Sequence, residues 1–113
     1  MPTLDPAALA AALAELPGWT RDEDALTRTF RRRDWRDAIA LVNAVAEEAE
    51  RRDHHPDISI TGYRNVAFRL TSHDSGGITK RDVNLARRID ELAAVAAGEP
   101  SDAPPAADEA ARR

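Results

Sequence analysis

The chain contains no cysteine, which excludes disulfides, thiolate metal ligands and a cysteine nucleophile together. Aromatics are few, two tryptophans, two phenylalanines and one tyrosine, so a core must be built mainly from aliphatic side chains. No apolar run approaches the ~20 residues a bilayer-spanning helix needs. The stretch from Met1 to Ala14 has no basic start and carries Asp5, so it does not read as a secretory signal. Positive charge is not in excess either: 16 basic residues against 20 acidic ones leave a net charge of −4, which argues against a nucleic-acid partner. The one basic run, Arg31-Arg32-Arg33, is followed at once by Asp34 and reads as a solvated strand end. The expectation is a soluble cytoplasmic domain that engages neither nucleic acid nor membrane.

Histidine is also scarce, and its placing is informative. His54 and His55 lie in Glu50-Arg51-Arg52-Asp53-His54-His55-Pro56-Asp57, and His73 lies in Thr71-Ser72-His73-Asp74. Imidazole, with an unperturbed pKa of about 6.5, both gives and takes a proton near neutral pH. Pro56 drives His55 out of the helical region, so the pair sits on a helix-to-strand corner. Adjacent side chains on such a corner diverge, and a third group is needed to close a site around one small molecule. His73 is the candidate for that group. By spacing alone, the three also fit polar loop and strand-end positions bonded to backbone.

The remaining pattern supplies a scaffold. Asp5-Pro6 is a helix start, and Leu9, Ala12, Leu13 and Leu16 follow at helical spacing before Pro17-Gly18 stops them. Trp19 to Arg33 reads as a hairpin with a polar tip at Arg21-Asp22-Glu23-Asp24, although Arg28 shares a face with Leu26 and Phe30. Asp34 opens a long amphipathic helix with Trp35, Ala38, Ile39, Val42, Val45, Ala46 and Ala49 along one side. Ile58 and Ile60, then Val66, Phe68 and Leu70, alternate with polar or small residues as a second hairpin. If that alternation runs on, His73 points away from the helices. Thr79 and Asp82 resemble a capping box, and the helix after them presents Val83, Leu85, Ala86, Ile89, Leu92, Ala93 and Ala96 to a core before Gly98 and Pro100. Helix, hairpin, helix, hairpin, helix predicts an α+β domain over residues 1–98, a four-stranded antiparallel sheet with helices packed on one face. Residues 99–113, alanine, proline and charge, read as a disordered tail. The bare sheet face and edges call for another chain, and a homodimer or homotetramer is expected.

Several separated motifs also carry a family likeness. Glu50-x-x-x-His54-His55-Pro56-Asp57, Tyr63-x-x-Val66, Leu70-Thr71-Ser72-His73, Gly76-Gly77-Ile78-Thr79-x-x-Asp82 and Leu85-Ala86-x-x-Ile89 resemble the pterin-4a-carbinolamine dehydratases. Pro17-Gly18-Trp19 and the helix from Asp34 extend the likeness, which covers Leu9 to about Ala97. Two departures stand out. Ser72 replaces the family's threonine before the third histidine, and the stretch from His55 to His73 is one residue longer, with Gly62 as the extra residue. A hairpin tip absorbs one residue, whereas an insertion inside paired strands shifts register and turns His73 to the other face.

The resemblance implies dehydration of 4a-hydroxytetrahydropterin to the quinonoid dihydropterin, recycling cofactor for an aromatic amino acid hydroxylase. It implies no bound cofactor or metal. His54 and His73 are then the acid–base pair, and His55 positions the pterin and polarises its hydroxyl. Glu50 contacts the ring or a histidine, Asp82 orients one histidine as well as capping, Ser72 offers its hydroxyl, and Trp19 borders the pterin. Two other readings stand beside this one. Three imidazoles and a water describe some catalytic zinc centres, but adjacent histidines rarely converge on one ion. Alternatively, the fold serves as a non-enzymatic dimerisation or assembly partner.

Overall fold

The computed structural model describes residues 1–97. In chain order the elements are α1 (Pro6–Ala14), β1 (Thr20–Asp22), β2 (Ala25–Arg31), α2 (Trp35–Arg52), β3 (Asp57–Thr61), β4 (Asn65–Leu70), a 3-10 turn (His73–Ser75) and α3 (Lys80–Ala97). The strands form one antiparallel sheet in the order β1-β2-β4-β3. The predicted α+β class and element order therefore hold. The expected tail at 99–113 and the helix stop at Gly98 and Pro100 lie outside the described residues, as does the side chain of Ala96. Among the described residues, no helix is long and apolar enough to cross a membrane.

Cross-strand register decides which face becomes the core. Leu26 pairs with Leu70, Phe30 with Val66 and Ile58 with Phe68, so large apolar side chains share one face. Leu26, Phe30, Val66, Phe68 and Leu70 are buried in one cluster with Leu9, Leu41, Val45, Leu85 and Ile89 from the three helices. The opposite face carries Thr27, Thr29, Ser59, Ala67 and Arg69, none of them buried. Arg28 breaks the apolar face. It lies over the Phe30 ring at 4.3 Å and donates to Asp90 at 3.0 Å and to the Pro17 carbonyl at 3.1 Å, so the charge is paired and its stem packs.

Each long helix has a chemical start. Asp34 caps α2 by accepting from the Asp37 N–H at 2.9 Å, which satisfies one of the unpaired donors of the first turn. The Arg31-Arg32-Arg33 run departs from the sequence expectation. Arg32 is 1% exposed, donating to Asp37 at 3.2 Å and to the Ala93 carbonyl at 3.1 Å. Periodicity marks it as strand-end surface, but a buried carboxylate and a helix carbonyl draw it inward.

A second ionic cluster ties α2 to α3. Glu48 accepts from Arg51 at 2.9 Å, from Arg52 at 2.7 Å and from Arg88 at 3.3 Å. These donors, Arg51 foremost, hold its carboxyl down to about 2 from the ordinary 4.5. A carboxylate with a lowered folded-state pKa adds stability that is fully present above its unfolded value and is lost as pH falls through the folded one. The Glu48 contribution is thus intact above pH 4.5 and disappears toward about pH 2. Glu48→Gln is expected to flatten the stability curve across that window, measured as urea midpoints against pH. An unchanged slope would show that the arginines do not act on Glu48 in solution.

Candidate active site

The sheet and the two long helices set the positions of the histidines. α2 ends at Arg52 because Asp53 adopts a left-handed conformation, φ 51° and ψ 45°. Its N–H bonds back to the Glu50 carbonyl at 3.2 Å, and the His54 N–H bonds to the Ala49 carbonyl at 3.1 Å. This is the two-bond closure that often terminates a helix. Pro56 then leads directly into β3. The corner expected between helix and strand is present, and it places His54 inward at 8% exposed while His55 faces outward.

The second segment reaches the same place through a broken strand. β3 and β4 pair one to one from Asp57↔Arg69 to Thr61↔Asn65, leaving Gly62, Tyr63 and Arg64 as the turn. The extra residue therefore falls in the tip, where Gly62 and Tyr63 take φ of 54° and 59°, and register is undisturbed. Burial still alternates through Leu70, Thr71, Ser72 and His73, but the strand itself ends at Leu70. Ser72 turns inward, bridges to Gly77 through its N–H at 3.0 Å, and hands over to the 3-10 turn that closes at Gly76 with φ 79°. His73 therefore stands on a turn rather than on a strand. His54, His55 and His73 line one open cleft of about 390 Å³ together with Asp53, Thr71, Ser72, Asp74 and Arg81.

Behind His54 stands a carboxylate with no exposure. Asp82 Oδ1 lies 2.6 Å from His54 Nε2, while Oδ2 accepts from Ser72 Oγ at 2.9 Å and from the Thr79 N–H at 2.9 Å. Ser72 Oγ also lies 2.9 Å from Thr79 Oγ1. Hydroxyls have one proton each, so once Ser72 donates to Asp82, Thr79 must donate to Ser72. An ionised carboxylate only accepts, which requires His54 Nε2 to carry a proton and leaves Nδ1 as the nitrogen Asp82 does not engage. His55 has a second carboxylate, with Nε2 at 2.5 Å from Glu50 Oε2, but that pair is exposed.

The expected site residues divide accordingly. The three histidines and Ser72 line the cleft, although the Ser72 hydroxyl is taken up by Asp82 and Thr79. Asp82 and Glu50 are not among the lining residues, but each lies against a histidine, the first buried and the second exposed. The Thr79 N–H to Asp82 bond is half of the anticipated capping box, so Asp82 caps α3 and also contacts His54. Trp19, expected to border the pterin, is not among the residues that line the histidine cleft: it is 4% exposed, edge-on to Phe30 with centroids 6.4 Å apart, and its indole N–H donates to Asp90 at 2.8 Å. A large ring beside an apolar sheet face gains more from burial than from lining a cleft. Sequence reading did not find Asp53, Thr79 and Arg81 as parts of the site. Thr79 carried a capping signal, whereas an arginine in the first turn of a helix looks like any solvated residue. Among the described residues, no three histidine, aspartate or glutamate side chains gather as a metal-holding group.

Comparisons with known proteins point to one family. The family model for pterin 4 alpha carbinolamine dehydratase matches residues 2–92. A protein of Thermomicrobium roseum that bears the provisional name pterin-4-alpha-carbinolamine dehydratase is 53% identical over 93 residues, 82% of this chain and 99% of its own length. A Nocardia farcinica protein with the same provisional name is 54% identical over 85 residues, 75% of this chain and 88% of its own. Among solved structures, a transcriptional coactivator/pterin dehydratase from Brucella melitensis superposes with a TM-score of 0.76 at 31% identity, covering 80% of this chain and 98% of that one.

Proposed function

The chain belongs to the pterin-4a-carbinolamine dehydratase family, and from that premise we propose that its histidine cleft dehydrates 4a-hydroxytetrahydropterin to the quinonoid dihydropterin. The observation that carries the reading is the meeting of three imidazoles from two distant segments around one open cleft, with His54 backed by a buried carboxylate. Loss of water requires one group to protonate the hydroxyl leaving C4a and another to take the N5 proton, so that the N5–C4a double bond forms as water departs. Both tasks suit positioned imidazoles.

His54, with its tautomer set by Asp82, takes the N5 proton at Nδ1. His73, which lines the same cleft, delivers a proton to the hydroxyl, and His55, steadied by Glu50, positions the ring and polarises that hydroxyl. One proton leaves N5, one joins the departing hydroxyl as water, and proton exchange with solvent resets the two imidazoles, with no metal, covalent intermediate or electron acceptor required. The reaction would recycle tetrahydropterin for an aromatic amino acid hydroxylase in the cytoplasm. A homodimer or homotetramer is part of the same proposal, because β3 is a sheet edge and an unpaired edge recruits another strand unless it is covered.

The test is a stopped-flow assay with chemically generated 4a-carbinolamine. Purified protein is expected to accelerate dehydration well beyond the spontaneous rate, with no added metal. A rate equal to the spontaneous one would overturn the enzymatic reading in favour of a dimerisation or assembly partner built on the same fold.

A further inference from the structure

The first turn of α3 places two neighbouring side chains against both histidine-bearing segments. Asp82 binds His54 on one segment and Ser72 on the other. Arg81 does the same further out, one residue along the first segment and two along the second. Its Nη2 donates to the Asp53 carbonyl at 2.9 Å, and its Nη1 lies 3.8 Å from the Asp74 carboxylate. Asp53 immediately precedes His54-His55, and Asp74 immediately follows His73. Two consecutive residues therefore touch each segment twice.

The two ties differ in kind. Asp82 is buried and fixes His54 directly, whereas Arg81 stands on the cleft wall with its side chain about one third exposed. An exposed ion pair adds little to stability, so fold energetics do not explain its reach. Asp53 gives that reach a purpose, since its left-handed backbone is unusual for a residue with a side chain, and its carbonyl is the group Arg81 holds. The His55 ring contacts exposed Glu50, so its placing depends on the backbone of this corner. His73 sits on a three-residue turn whose next residue is Asp74.

We propose that Arg81 is a positioning residue that sets the distance between His55 and His73 across the cleft. The proposal deepens the dehydratase reading and rests on it. A misplacement near 1 Å can cost on the order of 100-fold in rate, so loosening this span should show in turnover.

Arg81→Met keeps most of the stem and removes both contacts. It is expected to lower kcat roughly 10- to 100-fold with KM for the carbinolamine and the urea midpoint little changed. Arg81→Lys, which can still reach one carbonyl but cannot span both partners, should recover part of the loss. Asp74→Ala should cost less than Arg81→Met and add nothing in the Arg81→Met background. A second readout needs no activity: in histidine imidazole NMR spectra, Arg81→Met should move the His55 and His73 signals and spare His54. A raised KM at constant kcat would make Arg81 a pterin contact and overturn the proposal, as would unmoved His55 and His73 signals or a midpoint loss that accounts for the rate. A wild type no faster than the spontaneous reaction would sink the dehydratase reading alone, and the imidazole signals would then decide the positioning role.

Discussion

Asp82→Ala is expected to destabilise the fold by about 3 to 5 kcal/mol, because it strips the shared acceptor from several buried donors at once. The Thr79 N–H, the Ser72 hydroxyl and His54 Nε2 all end on this carboxylate. All four residues are buried. Each buried donor left without a partner costs about 1–3 kcal/mol, and water cannot easily replace a carboxylate that has no exposure. Urea unfolding of the two proteins measures the difference. A loss below about 1 kcal/mol would mean that the network relaxes freely and does not anchor the site.

Asp82→Asn separates the structural role from the chemical one. The asparagine oxygen can still accept from Ser72 and Thr79, which turns its amide N–H groups toward His54. Nε2 must then accept, and the ring proton moves to Nδ1, the nitrogen assigned to take the substrate proton. This variant is expected to fold and to lose most of its dehydratase rate, since an imidazole in the wrong tautomer cannot act as the base. Full activity in Asp82→Asn would show that His54 is not the proton acceptor.

What could be read from the sequence followed local rules closely. α2 was legible in its start and end, which Asp34 and Pro56 mark, but its buried face is shifted from the expected stripe: Trp35 and Ala46 are exposed, whereas Leu41, outside that stripe, is fully buried. The β3–β4 hairpin was legible through strict alternation, and Gly62 lay where a tip tolerates an extra residue. Three features escaped because tertiary partners decide them. Arg32 is drawn inward by Asp37 and the Ala93 carbonyl, distant in sequence or inconspicuous in type. Trp19 is consumed by the core because Phe30 and Asp90 provide an edge-on neighbour and an acceptor. His73 keeps the exposed side that alternation gives it, but it reaches the cleft from a 3-10 turn that follows the Ser72–Gly77 bridge, which alternation does not announce. The Arg81 span could not be seen without the fold, since Asp53 and Asp74 are 21 residues apart.

The largest kinetic effects are expected at the two histidines given the proton transfers. His73 is exposed, so His73→Ala should leave the unfolding midpoint near the wild-type value and lower kcat roughly 10²- to 10⁴-fold. At His54, alanine would strand Asp82, so glutamine is the informative substitution: its amide can still donate to the carboxylate but cannot serve as an imidazole base. His54→Gln is expected to fold and to lose a comparable factor. If proton removal from N5 and protonation of the leaving hydroxyl occur in one step, the double variant should lose much less than the product of the two factors, since groups that act as a unit are not additive. Stopped-flow turnover of the carbinolamine by the four proteins, with midpoints measured alongside, checks this directly. A His73→Ala protein within about twofold of wild type would remove His73 from the chemistry, and fully multiplicative losses would place the two histidines in separate steps.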